Sequence, residues 1–218
     1  KYETTHPWIT FAADYRRLAC MTWVRLGEAQ SKCEHMTDVP LLPAAADNLQ
    51  RFYLAKGVLA TTAIEGNTLT EEQVRQRIEG TLSLPPSQEY LGKEIDNVLA
   101  ACNLISQWVF GEKITKLTVQ DIKEFNRLVL EDLPLGEGVV PGEIRSHAVT
   151  VGRYLGAPAE DCEYLLGRFC AWLNDMPTPE QDRTLFGILK AIYAHIYFAW
   201  IHPFADGNGR TARLIEFQ

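Results

Sequence analysis

The chain has 218 residues, of which 46% are hydrophobic and 22% are charged, as in soluble globular proteins with one well-packed domain and an appendage. Its net charge of −7 argues against a nucleic-acid binder that depends on a broad basic surface. A small cationic pocket for a phosphorylated ligand remains compatible with that charge.

Helical patterns fill the first part of the sequence. An opening helix is predicted over about 11–28, and the prolines near position 40 separate it from the next helical stretch. A capping box at Asp47–Gln50 and apolar spacing behind it predict a second helix over about 47–66. Another box, Thr70–Gln73, predicts a short helix that ends near Gly80.

The later part is also mainly helical. Long helices are predicted from Ser87 and from a capping box at Thr118–Asp121. A glycine- and proline-rich stretch comes next, in which His147–Val151 alternates with period two and predicts one small hairpin. Further helices begin near Asp161 and Glu180, and the last is apolar nearly all round, as expected at the centre of a bundle. We therefore predict an all-α bundle with one β-hairpin.

The compartment is predicted from cysteines and apolar segments. Five scattered cysteines without a CxxC pair favour buried, reduced thiols in a cytoplasmic protein over metal ligands. The first residues do not have the basic and apolar regions of a signal peptide. The most apolar segment, Ala191–Ile201, is too short to span a bilayer. We therefore expect a cytoplasmic protein with no membrane partner.

A polar loop interrupts the most apolar part of the chain at His202. Pro203 breaks the preceding helix, and the dipeptides Asp206-Gly207 and Asn208-Gly209 are hairpin signals. The residues from Arg210 onward do not alternate and suit a helix better. The preferred prediction is helix, tight loop, helix.

Two arginines, Arg210 and Arg213, would then share one face of the first turn of the new helix. Cations there oppose the helix dipole, whereas converging N–H groups beside glycines can hold an anion. Both features suit a bound polyphosphate. The alternative is that the arginines pair with surface carboxylates and the glycines only turn the chain.

Two further side chains have chemical interest. His202 could remove a proton from a hydroxyl, and Asp206 could hold Mg²⁺ beside phosphates, which needs only one or two carboxylates. By spacing alone, His202 is equally well explained as a cap or a packed residue. His195 is seven residues earlier, and we predict a hydrogen-bonded core histidine there rather than a proton relay.

Residues 202–213 match the signature HPFxDGNGRxxR at every fixed position, so the chain resembles the Fic family from about Ser87 to Gln218. The resemblance implies an adenylyltransferase that moves AMP from ATP to a protein hydroxyl, with His202 as general base and Asp206 as ligand of Mg²⁺. It assigns phosphate contacts to Gly207, Asn208, Gly209, Arg210 and Arg213, of which Arg213 would hold the γ-phosphate.

The resemblance also implies a division of the chain. Residues 84–218 would form the Fic core, with a flap over about 142–158, and residues 1–83 would carry the helix of about 47–66. Val151 and Gly152 in the flap are predicted to approach the nucleotide. Family members usually continue further, so the adenine pocket is expected beyond Gln218.

Residues Thr61–Asn67 resemble the family's inhibitory motif, in which a Ser or Thr precedes a Glu by four places. Thr61 and Glu65 would share one helix face, and Gly66 would end the helix. Glu65 is predicted to pair with Arg213 and so keep the γ-phosphate out. The alternative is that Glu65 is an ordinary solvated residue.

The expected partner is a target protein that presents a Ser, Thr or Tyr hydroxyl. The edge of the hairpin could accept an extended peptide, or the hairpin could only cover the core. Self-modification and a homodimer are further expectations to test. Alternative functions are removal of AMP, transfer of another phosphate-containing group, and nucleotide binding without turnover.

Overall fold

The computed structural model describes residues 1–37, 39–111 and 116–218. Nine α-helices and one two-stranded antiparallel sheet lie in these ranges. The helices are α1 Tyr2–Thr5, α2 Cys20–Thr37, α3 Pro43–Ile64, α4 Glu71–Ile78, α5 Glu89–Phe110, α6 Val119–Leu130, α7 Cys162–Asp175, α8 Arg183–Ile201 and α9 Asn208–Phe217. The strands are β1 Thr150–Val151 and β2 Tyr154–Leu155. The predicted mainly helical fold with one hairpin is confirmed.

Helix α8 connects several layers of the bundle, because it packs against α2, α7 and α9. Helix α5 contacts α3, α4, α6 and α9, so the first half of the chain is joined directly to the second. One apolar core draws side chains from both halves, from Tyr2 to Ile215. Its fully buried aromatic members are Phe125, Phe169, Phe198 and Phe204.

The predicted opening helix over 11–28 is wrong at both ends. Phe11 has a φ of 52°, and a short 3₁₀ turn at Tyr15–Arg17 precedes α2. The backbone of Ala12 is used elsewhere: its N–H donates to the Tyr197 hydroxyl at 2.9 Å, and its carbonyl accepts from the same hydroxyl at 3.0 Å. A residue whose backbone groups are bound in this way cannot contribute to a helical ladder.

Short sequence signals predicted some helix ends correctly and others wrongly. Both bonds of the box at Thr70–Gln73 are present, as are those of the box at Thr118–Asp121. The box predicted at Asp47–Gln50 is wrong, because α3 already begins at Pro43, a residue whose ring favours the first helical position. The predicted stop is confirmed at Gly66, which has a φ of 97°.

The hairpin is shorter than the alternating pattern suggested. Of residues His147–Val151 only Thr150 and Val151 form β1, and they pair with Leu155 and Tyr154. Gly152 in the turn has a φ of 60°, which a residue with a side chain adopts at a cost. The hairpin lies inside the predicted flap region, 142–158.

Three other sequence predictions need correction. Cys20 and Cys33 are exposed, although the other three cysteines are buried, and all five are free. His195 is hydrogen-bonded, to Glu216, but its side chain is 41% exposed and so is not a core residue. By length and composition alone, one described stretch, Glu180–Ile201, could cross a membrane; Ala191–Ile201 is only part of it. Core helices of soluble proteins meet the same criterion.

Candidate active site

His202 caps the end of α8, the most apolar of the long helices in the described residues, and begins the loop. Its N–H still donates to the Phe198 carbonyl at 2.9 Å, but its backbone is left-handed, with φ 50° and ψ 61°. Pro203 comes next, so the helix cannot continue and the imidazole is left at its C-terminal end. The predicted succession of helix, loop and helix is confirmed by α8 and α9.

Asn208 holds the loop closed from within. Its Oδ1 accepts from the Phe204 N–H at 3.0 Å, and its Nδ2 donates to the Phe204 carbonyl at 2.8 Å. The side chain is buried, and both of its polar atoms are engaged in these two bonds. A phosphate contact predicted for Asn208 therefore falls to its backbone N–H, in the first turn of α9.

Asn126 on α6 holds the loop in place by hydrogen bonds, and it was not identified from the sequence. Its Nδ2 donates to the Asp206 carbonyl at 2.9 Å, and its Oδ1 accepts from the Gly142 N–H at 3.0 Å. Gly207, with a φ of 75°, lies so close that an added Cβ would be 2.8 Å from the same Nδ2. A glycine is therefore required where the loop enters α9.

Arg145 joins the flap to the loop. Its N–H donates to the Pro203 carbonyl at 3.0 Å, and its guanidinium donates to the carbonyls of His202 at 2.7 Å and His147 at 2.6 Å. A further bond reaches the Ala157 carbonyl. The side chain is buried, and all four of these acceptors are backbone groups that a sequence pattern does not single out.

The surroundings of His202 favour its neutral form. Burial lowers the pKa of its imidazole below the ordinary value of 6.5, and the positive charge of Arg145 lowers it further. A backbone hydrogen bond at Ala199 and the charge of Glu65 act in the opposite direction but are smaller. A neutral imidazole can accept a proton at neutral pH, as the general base predicted at this position must.

The two arginines at the start of α9 each meet a carboxylate from another helix. Arg210 Nη1 donates to Glu94 Oε1 at 2.6 Å, and Arg213 Nη2 is bonded to Glu65 Oε1. Arg213 Nη2 also donates to the Thr61 carbonyl at 3.2 Å. The predicted pairing of Glu65 with Arg213 is thus present, whereas the partner of Arg210 was not found from the sequence.

The start of α9 is a strong candidate for anion binding. Gly207 is its N-cap, so the N–H groups of the first turn lie beside the two arginines and the positive end of the helix dipole. The Glu65 carboxylate lies directly over Gly209, where an added Cβ would collide with it. Glu65 therefore occupies space next to the predicted phosphate contacts.

Asp206 is the remaining predicted site residue of the loop itself. Asp206 is 48% exposed, and its Oδ1 is 3.5 Å from Arg210 Nη2. One open carboxylate beside an anion site fits Mg²⁺ held partly by phosphate oxygens; among the described residues no cluster of three metal-ligating side chains occurs. The hairpin is tied to the loop region by Tyr154, which donates to the Trp200 carbonyl at 2.7 Å, rather than by Val151 or Gly152.

Comparison with known proteins identifies this arrangement. A family model described as the Fic/DOC family matches residues 116–217, which include the loop and both helices that flank it. The chain carries a Fic/DOC family domain. The protein adenylyltransferase Fic of Drosophila persimilis is 32% identical over 195 residues, covering 88% of this chain and 36% of that protein. The protein adenylyltransferase fic-1 of Caenorhabditis elegans is 34% identical over 158 residues, or 72% of this chain and 30% of that protein.

A solved structure of C. elegans Fic-1, residues 134–508, superposes on 90% of this chain with a TM-score of 0.75 and 28% identity. The match covers 56% of that chain. The helical bundle with its small hairpin is therefore a Fic fold. The chain spans about a third of the length of the curated relatives it matches.

Proposed function

We propose that this Fic domain is a protein adenylyltransferase that transfers AMP from ATP to a hydroxyl of a target protein and is restrained by Glu65. The observation that carries the proposal is the Glu65–Arg213 pair at the start of α9, beside a loop that begins with a half-buried histidine. The names of the relatives support adenylyl transfer. The pairing supports the restraint, because an arginine that holds a carboxylate cannot also hold a γ-phosphate.

The reaction assigns a role to each part of the loop. His202 accepts the proton of the target hydroxyl, whose oxygen attacks the α-phosphorus, and the bond to the bridging oxygen breaks so that pyrophosphate leaves. The N–H groups of α9 and Arg210 hold the phosphates in line. Asp206 would hold Mg²⁺, which when bound adds positive charge beside the phosphate oxygens.

The test is to remove the restraint. Glu65→Gly is expected to raise transfer of label from α-labelled ATP to protein by about 10- to 100-fold, the equivalent of one charge-assisted hydrogen bond. Glu79→Gly is a matched control, because Glu79 also caps an exposed helix end before a glycine with positive φ, at α4. Failure of the Glu65→Gly variant to label any protein in a lysate would overturn the proposed function.

Removal of AMP is the second candidate, and one observation favours it. The Glu65 carboxylate is partly exposed over Gly209, where it could orient a water molecule toward a phosphorus atom. In that case Glu65→Gly would abolish release of AMP from a modified protein. Glu65→Gly therefore distinguishes the two reactions, because it would increase transfer of AMP but abolish its removal.

The hairpin suggests how a target would bind. Val151 and Tyr154 close its two-residue turn, so the N–H and C=O groups of Thr150 and Leu155 point away from the partner strand. The Leu155 carbonyl is in contact with His6 Nε2 at 2.9 Å, which covers the outer edge of β2. The outer edge of β1, at Thr150, is the edge that we propose for an extended target segment.

Proline at this edge tests the binding mode. Thr150→Pro removes the outward N–H and is expected to lower modification of the target, identified by mass spectrometry with the Glu65→Gly variant, by about fivefold or more. Thr150→Ala keeps the N–H and is the control. ATP binding should be unchanged in both variants, and equal target modification by both would contradict docking at β1.

A further inference from the structure

Arg210 is a buried cation at the start of a helix, a position that requires compensation. Its side chain is 7% exposed, and cations in the first turn oppose the helix dipole. Glu94 on α5 supplies the opposite charge, and this carboxylate is itself only 12% exposed. Little of either side chain reaches water, so each charge depends on the other for compensation.

The second oxygen of Glu94 is also held. Asn67 Nδ2 donates to Glu94 Oε2 at 2.9 Å and to the Leu91 carbonyl at 2.9 Å, while Asn67 Oδ1 accepts from the Leu69 N–H at 3.0 Å. Asn67 is buried, and it lies two residues after Glu65. Both oxygens of Glu94 are therefore fixed in direction, one by α9 and one by the turn after α3.

Because Glu94 holds Arg210 in this orientation, one edge of the Arg210 guanidinium faces the loop. Arg210 Nη1 lies on the Glu94 side, whereas Nη2 is directed to Asp206 Oδ1 at 3.5 Å. Arg210 Nε is buried without a hydrogen-bond partner among the described residues. An inhibitory carboxylate would lie between its arginine and the loop, where the phosphates would bind. Glu65 has such a position, over Gly209, whereas Glu94 contacts Arg210 from the other side.

We infer that Glu94, held by Asn67, is a positioning residue that aims Arg210 at the phosphates, and that it is not a second inhibitory carboxylate. The inference rests on the proposed function, since it concerns the same phosphate site. It assigns opposite roles to two carboxylates that contact neighbouring arginines. Loss of Glu65 releases the enzyme, whereas loss of Glu94 impairs ATP binding even after release.

The test uses the Glu65→Gly protein and two further changes at position 94. Glu94→Gln keeps the shape and removes the charge, and Glu94→Asp keeps the charge but shortens its reach. Transfer of α-label is measured as a function of ATP concentration, together with urea unfolding. Both changes are expected to raise the KM for ATP by about tenfold, the effect of one misplaced charged hydrogen bond.

Asp96→Asn is the matched control. Asp96 also lies on α5 and pairs with an arginine, Arg77, at 2.6 Å, but that pair joins α4 and does not touch the loop. The control should leave the KM for ATP within about twofold, because a merely structural loss lowers the amount of active protein and not its affinity.

Each outcome has a separate meaning. No labelling by Glu65→Gly itself would overturn the proposed function. Labelling by Glu65→Gly with an unchanged KM in both position-94 variants would overturn the positioning role, even if these variants were less stable. A lower KM or faster transfer in these variants would make Glu94 a second inhibitory residue and would also overturn the inference.

Discussion

Arg210 and Arg213 lie one turn apart on α9, and each is paired with a carboxylate from an earlier helix, yet the two pairs differ in exposure. The side chains of Arg210 and Glu94 are 7% and 12% exposed, whereas those of Arg213 and Glu65 are 16% and 32% exposed. Glu94 has a second buried partner in Asn67, and Glu65 lies at the end of its helix. The same chemistry thus gives a contact that is more buried and held from both sides in one place, and a more exposed contact in the other.

Removing the arginines should have the largest effect. In the Glu65→Gly protein, Arg210→Ala and Arg213→Ala are each expected to lower label transfer by about 100-fold, because each withdraws a positive group from the phosphates. Only Arg210→Ala should also lower the thermal unfolding temperature clearly, because it leaves Glu94 buried without its cation. Equal loss of stability in both variants would remove the distinction between the pairs.

Unfolding free energies give the next contrast. Glu94→Ala leaves a buried arginine unpaired and is expected to lower the free energy of unfolding by about 3–5 kcal/mol. Glu65→Ala breaks a partly exposed pair and should cost about 0–1 kcal/mol. Urea titration of both variants beside the unaltered protein measures the difference, which a similar cost at the two positions would contradict.

The smallest effect is on the titration of His202. Burial and Arg145 lower the pKa of the imidazole, and Glu65 opposes them, so Glu65→Gln should move this pKa further below 6.5. Glu94 is not among the charges that act on His202, so Glu94→Gln should leave the pKa where it is. Histidine NMR titrations test this, and a shift of the same size in both variants would contradict it.

The parts of this arrangement that could be predicted are those encoded within a few residues. The capping boxes at Thr70 and Thr118 and the dense pattern of residues 202–213 are local signals, and the structure has the helices and the loop that they predict. The pairing of Glu65 with Arg213 is long-range, and it was found only because a resemblance linked the two motifs.

The sequence did not reveal Glu94 and Asn126 as parts of the site, because each bonds a residue far away along the chain. Glu94 meets Arg210 across 116 residues, and Asn126 meets Asp206 across 80. Neither residue has a neighbour in sequence that marks it out. The helix predicted over 11–28 was wrong for a related reason, since the backbone of Ala12 bonds Tyr197, 185 residues away, in place of a helical neighbour.

The bonds of Arg145 have a consequence for the choice of substrate. The Arg145 guanidinium bonds the backbone of both His147, before the hairpin, and His202. If a target strand docks at Thr150 as proposed, its distance from the imidazole would then be set by this protein rather than by the target. A target hydroxyl would then be selected by its position in the docked segment, that is, by the number of residues between it and the residue that pairs with Thr150. Chemically different hydroxyls at that one place would be treated alike, and identical hydroxyls one residue away would be ignored, because side chains alternate between the two faces of a strand.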